Sequence, residues 1–243
     1  GRLIVGLSVI GISLIGFLMS FGVDRHPPAD PKARFPWAGP IHTLRELLNI
    51  RRDRLLWIIL LTDVFIWFVA VFQILVINEM CPKRFGLTEK QTSFVLGAEL
   101  LGVAVGAVAA GWLARGERWY RILPTAMLVL GVVLIGIAME AFLPRSLQLG
   151  GVVLGLSLAG IAGGVLLIPC EAFFQIRPAP ERKGSVIATA NFAAFFGMTI
   201  SGVAYYGLVK LNMLPLMRLG VLGGCTLPVA LWLWWGLRKE TRE

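Results

Sequence analysis

The chain has 243 residues, 57% of them hydrophobic and 15% charged, with a formal net charge of +9; an ordinary soluble domain is about a quarter charged. This excludes a disordered chain and argues against a water-soluble one, because the apolar residues are gathered into long runs and are not spaced as in an amphipathic fold. The positive excess fits either a nucleic-acid binder or a membrane protein with Lys and Arg collected in loops on one face, so their placement decides.

A bilayer core about 30 Å thick is crossed by about 20 apolar residues in a helix. Seven segments qualify: Leu3 to Val23, Leu55 to Ile77, Ser93 to Ala114, Ile122 to Leu143, Leu147 to about Phe174, Ser185 to Val209, and Leu211 to Leu237. The first is too long for a signal core and is followed by no small-residue cleavage site, so it reads as a span. The chain starts at Gly1 and enters that span almost at once, as expected of a piece of a longer protein.

Between the first two spans lies the one long polar stretch, Asp24 to Arg54, which opens with Pro27, Pro28, Pro31, Pro36 and Pro40. Beyond Pro40, Ile41, Leu44, Leu47 and Leu48 share one helical face, and Thr43 with Glu46 has the spacing of a capping box. Two readings stay open. The helix lies on the membrane surface with Arg45, Arg51, Arg52 and Arg54 toward lipid phosphates, or it packs on the spans as a solvated linker.

If the linker is cytoplasmic, 16 of the 23 Lys and Arg fall on its side of the membrane and seven on the other. The positive-inside rule then places both linker and C-terminus in the cytoplasm, and topology alone accounts for the charge; no nucleic-acid partner is expected. Trp232, Trp234 and Trp235, just before Arg238, suit an aromatic belt at that face.

Glycines report how spans meet. Gly102 and Gly106, Gly151 and Gly155, and Gly160 and Gly164 are GxxxG pairs, which let helices approach closely where lipid supplies no hydrophobic drive. In the fifth span, glycine density with Pro169 near the cytoplasmic end fits a helix that moves in a transport cycle, or equally one in tight static packing.

Carboxylates inside spans are costly and mark candidate sites. Asp63 lies about 12 Å along its helix from the cytoplasmic boundary, and Glu171 about 9 Å from the loop that begins at Arg177, with Gln175 one turn away. Glu99 lies in the opposite half, with Lys90 or Arg84 as a ready partner for it. Glu79 and Glu140 read as solvated residues at span ends. Gln73 and Asn78 share a side of the second span with Asp63, and Asn191 lies inside the sixth; these either bind substrate or hold helices together. Cys81, Cys170 and Cys225 are far apart, and His26 and His42 lie away from them, so no disulfide framework, metal site or other cofactor is expected. No HExxH, Walker or GxSxG motif occurs, and nothing points to an enzymatic role for this chain.

The segment Gly111-Trp-Leu-Ala-Arg-Gly-Glu-Arg-Trp-Tyr-Arg121 resembles the cytoplasmic loop motif of the major facilitator superfamily, without the aspartate that the motif has after Ala114. Ile168-Pro-Cys-Glu-Ala-Phe-Phe-Gln-Ile-Arg-Pro-Ala-Pro-Glu-Arg-Lys-Gly184, followed by Val186-Ile-Ala-Thr-Ala-Asn-Phe192, is similar to the second half of bacterial lysophospholipid transporters, some of them fused to an acyltransferase and an acyl-carrier-protein ligase. Arg34-Phe-Pro-Trp37, Arg52-Asp-Arg-Leu-Leu-Trp57, Phe65-Ile-Trp-Phe68 and Gln73 also resemble that group. Two departures bear on headgroup preference: the group usually has Asn where Glu171 and Ala190 stand.

The resemblance implies an all-α membrane protein of twelve helices in two six-helix halves, of which this chain supplies the sixth (residues 1–23), the central loop (24–54), the six-helix C-terminal bundle (55–237) and a cytoplasmic tail (238–243). It implies a cavity lined by Asp63, Gln73, Glu171 and Gln175; Asn191 stays a further substrate-binding candidate from its place in the sixth span, and Gly111, Arg118, Gly160, Gly164 and Pro169 are candidates for packing or motion. The implied substrate is a lysophospholipid or other amphiphile, moved inward for reacylation in the bacterial inner membrane. Implied partners are membrane lipids, the missing N-terminal helices and a fused or adjacent acyltransferase. A proton-coupled drug or small-solute efflux pump of the same fold, or a non-transporting anchor for an acyltransferase, are the alternatives.

Overall fold

The structure is a computed structural model that describes residues 2–22, 39–114, 116 and 119–240. The described residues form eight helices and no strand: α1 (Arg2–Ser20), α2 (Gly39–Ile50), α3 (Arg54–Phe85), α4 (Glu89–Leu113), α5 (Ile122–Met139), α6 (Arg145–Ile176), α7 (Lys183–Lys210) and α8 (Pro215–Glu240). Single 3-10 turns at Trp119–Arg121 and Glu140–Phe142 flank α5. Arg118 and the proline-rich stretch 23–38 lie outside the described residues.

Residues 1–36 form a unit of their own. Within it, α1 exposes nearly every apolar side chain, from Leu7 to Met19. Its apolar stretch, Gly6–Ser20, is shorter than the helices counted as long enough to cross a membrane.

Residues 37–243 form the second unit. Helices α3 to α8 with the flanking turns give six helices long and apolar enough to cross a membrane. This is an all-α, multi-pass membrane protein. α3 runs eight residues past the expected Ile77 end, because Lys83 pairs with Glu79 at 3.1 Å one turn back and the helix closes only at Gly86. Gly86 has φ +63°, a left-handed cap that glycine adopts without a Cβ penalty. At its other end the Asp53 side chain accepts from the Leu56 amide at 3.1 Å. Thr88 and Gln91 form a capping box at the start of α4. Thr43 and Glu46 do not form one: α2 begins four residues earlier, at Gly39, and Thr43 Oγ1 donates to the Gly39 carbonyl at 3.0 Å. Pro40 is tolerated because first-turn N–H groups have no partner within the helix.

α4 packs on α6, α5 on α8 and α3 on α7, while α3 also meets α6 and α8 at the centre. Ile59, Leu60, Val76, Leu123, Met127 and Leu156 fill that centre and are almost fully buried. The glycine pairs set the α4–α6 separation. A Cβ on Gly102 or Gly106 would enter the Ser157 or Ile161 backbone, and one on Gly160 or Gly164 the Glu99 or Val103 backbone. Gly151 and Gly155 turn instead toward Glu140 and Ile137.

Of the two readings open in the sequence for α2, the structure shows the packing one. The helix packs on α7 and buries Glu46 and Ile50. Ile41, Leu44 and Leu48, spaced along one face, remain 55–65% exposed.

Candidate functional site

Asp63 faces inward from α3 and is 1% exposed, with its Oδ1 bonded to nothing among the described residues. Glu171 of α6, half-buried, is near enough to act on it through space, and the fully buried Cys170 thiol lies within electrostatic reach of both. No Lys or Arg pairs with either acid among the described residues. Pro169 lies two residues before Glu171 on α6. It has no N–H to give the Val165 carbonyl, so the ladder of α6 is interrupted one turn before Glu171. Two carboxylates with no cation among the described residues, one of them just past a weak point of the glycine-rich α6, form a place that a cationic group would stabilise.

The other expected site residues scatter. Gln175, one turn past Glu171, is exposed, and so is Asn191 on α7. Gln73 is buried and donates from Nε2 to the Glu99 carboxylate, tying α3 to α4. Glu99 therefore takes Gln73, not Lys90 or Arg84, as its partner. Arg84 instead donates to Gln148 Oε1 at 2.9 Å. Gly160 and Gly164 sit at the α4 contact, whereas a Cβ on Gly111 would meet nothing within 4 Å.

Two further networks were missed in the sequence. At the Phe85 end of α3, Glu79 is not a solvated end residue: it accepts from Arg218 of α8, Tyr205 of α7 and Lys83, with Arg218 only 4% exposed. Arg218 interrupts an apolar run, and an intramembrane cation is the same signal as an intramembrane acid. At the opposite end, Arg177 bonds Asp53 at 3.0 Å, Arg182 bonds Glu46 at 2.6 Å, and Arg54 donates to the Gly236 carbonyl at 3.0 Å. These tie the α6–α7 loop to α2 and the start of α3, and α3 to α8. They join residues 124, 136 and 182 positions apart, so no local pattern announces them.

Residues 4–202 match the sequence profile of the Major Facilitator Superfamily. A Citrobacter koseri protein named Lysophospholipid transporter LplT is 31% identical over 158 residues, covering 63% of this chain and 38% of that protein. Proteins of the same name from Shigella sonnei and Escherichia coli are 29% identical over the same extent. The chain thus spans well under half the length of these curated relatives. No solved structure matches it. Since the profile covers most of the chain and the structure is a bundle of six membrane-length helices, this chain belongs to the Major Facilitator Superfamily.

Proposed function

We propose that the chain is the second-half portion of a transporter that moves lysophospholipid inward across the bacterial inner membrane by alternating access, for reacylation. The observation that carries this reading is the pair of Asp63 and Glu171 on two adjoining helices, with no cation paired to either among the described residues, in a chain whose relatives are named for lysophospholipid transport. A zwitterionic headgroup offers the pair an ammonium, and its acyl chain can remain among apolar side chains. The charge asymmetry supports a cytoplasmic linker and C-terminus. α4 and α7 are the least buried of the six long helices, which suits them to pack against a further set of helices preceding this chain. The α1 helix fits the sixth span of such an arrangement and residues 24–54 its central loop.

The test is uptake. Spheroplasts carrying the complete protein should accumulate labelled lysophosphatidylethanolamine faster than spheroplasts lacking it. Export of a cationic dye without lysolipid uptake would replace this reading with drug efflux, and neither activity would leave an anchoring role.

A further inference from the structure

A cleft of about 790 Å³ opens at the α2 end of the bundle, lined by Arg52, Arg54, Arg177 and Arg182 with one carboxylate, Asp53, in its wall and a second, Glu46, behind it on Arg182 at 2.6 Å. Asp53 is already taken by Arg177 and by the α3 amide it caps. Arg52 is exposed and forms no ion pair among the described residues. A second hollow, about 720 Å³, adjoins it and shares Leu55 and Arg177. Its walls are apolar: Ala110 of α4, Trp119 and Tyr120 of the turn before α5, and Ile168, Pro169 and Ala172 of α6. Ile168 is eight residues from the end of α6, so the groove reaches about 12 Å into the bundle from its rim.

The level of the cleft is fixed by its neighbours. Arg54 bonds the Gly236 carbonyl, beside Trp234 and Trp235, which are 49% and 69% exposed, while Arg238 lies 4.4 Å over the Trp234 ring. Exposed tryptophans with basic neighbours mark headgroup depth. The exposed Ile41, Leu44 and Leu48 face of α2 lies at the same end. The arginines therefore stand where phosphates are, and the groove runs from them toward hydrocarbon.

We infer that the cleft and groove together bind one acylated phosphodiester from the leaflet on the α2 side, its phosphate among Arg52, Arg54, Arg177 and Arg182 and an acyl chain along Ile168, Ala172 and Trp119. Arginine suits this role because its planar fork meets phosphate oxygens two at a time. The site is separate from the Asp63–Glu171 pair and asks for the opposite charge, so it stands whether or not that pair binds substrate. Its occupant belongs to the membrane. A free phosphate would use the arginines and leave the groove empty.

The 243-residue chain in an uncharged maltoside detergent is probed with palmitoyl lysophosphatidylglycerol, which has a phosphodiester and one chain but no ammonium. Glycerol 3-phosphate and monopalmitoylglycerol supply the headgroup and the chain separately. The lysolipid should bind at least tenfold more tightly than either fragment, and a diazirine in mid-chain should crosslink to the groove residues Ile168, Ala172, Phe173, Trp119 or Tyr120 and not to Asp63 or Glu171. Arg52→Gln should weaken the lysolipid at least fivefold while leaving monopalmitoylglycerol unchanged. Ala172→Trp, which fills the groove, should remove the crosslink. Adducts confined to other helices, or glycerol 3-phosphate competing as well as the lysolipid, would overturn the inference. The crosslink on the unsubstituted chain decides the matter should a variant fail to fold.

Discussion

Gly163 and Gly164 are adjacent in α6 yet should respond oppositely to the same methyl group. A Cβ on Gly163 meets nothing within 4 Å, whereas one on Gly164 would run into the Val103 carbonyl and come within 2.8 Å of the Ala107 amide nitrogen. Both substitutions to alanine gain the helix-propensity difference, about 1 kcal/mol. Only Gly164→Ala must also push apart helices held backbone to backbone, for which overpacking costs about 1–3 kcal/mol. The backbone atoms it meets belong to α4 itself and cannot rotate away as a side chain would. The two variants should therefore differ by about 1–3 kcal/mol, with Gly163→Ala at or above the parent in stability and Gly164→Ala near or below it. Gly160→Ala should follow Gly164→Ala, since its Cβ would meet the Glu99 carbonyl and the Val103 amide. Thermal unfolding of the purified chain in detergent, followed by helical circular dichroism, reads the difference. Equal midpoints for Gly163→Ala and Gly164→Ala would refute the close α4–α6 approach. Leucine at Gly160 or Gly164 should abolish transport in the complete protein.

Arg218→Met leaves the Glu79 carboxylate without its buried cation and should cost about 3–5 kcal/mol; the double variant Glu79→Met with Arg218→Met should recover most of it, and additivity in the unfolding cycle would show that the pair does not act as one. Gln73→Leu removes the hydrogen bond to Glu99 and should lower stability by about 1–3 kcal/mol, with the KM for lysolipid unchanged in whatever folded transporter remains; a raised KM would return Gln73 to the substrate path. Cysteines placed in the Arg177–Lys183 loop should react with an impermeant maleimide from the cytoplasmic side only, and labelling in intact cells would reverse the topology.

Much of the architecture was legible because a membrane makes few demands, and makes them locally. Long apolar runs gave the six spans of the bundle, and the Gly102, Gly106, Gly160 and Gly164 spacing marked helices that meet backbone to backbone. The depths of Asp63 and Glu171, counted at a fixed rise per residue, put the two acids at similar depth, and in the structure they lie within electrostatic reach of each other. What could not be read were choices among distant partners. Glu99 has basic residues within a few turns of it in sequence, but the α3–α4 packing presents Gln73. Glu79 looked solvated only because Arg218, its cation, is 139 residues away. The Thr43–Glu46 spacing misled for a related reason. Glu46 is taken by Arg182 across the α2–α7 contact, and the helix start moved back to Gly39.

The most direct test of the account is the headgroup selectivity of the Asp63–Glu171 pair. Asp63→Asn and Glu171→Gln, made singly in the complete transporter, keep the side-chain shapes and remove one charge each. Equilibrium binding of lysophosphatidylethanolamine and of lysophosphatidylglycerol is then compared in the parent and the two variants. Each variant should weaken the ammonium-bearing lipid more than the anionic one. Unchanged binding of both lipids by both variants would contradict the claim that these acids receive the substrate.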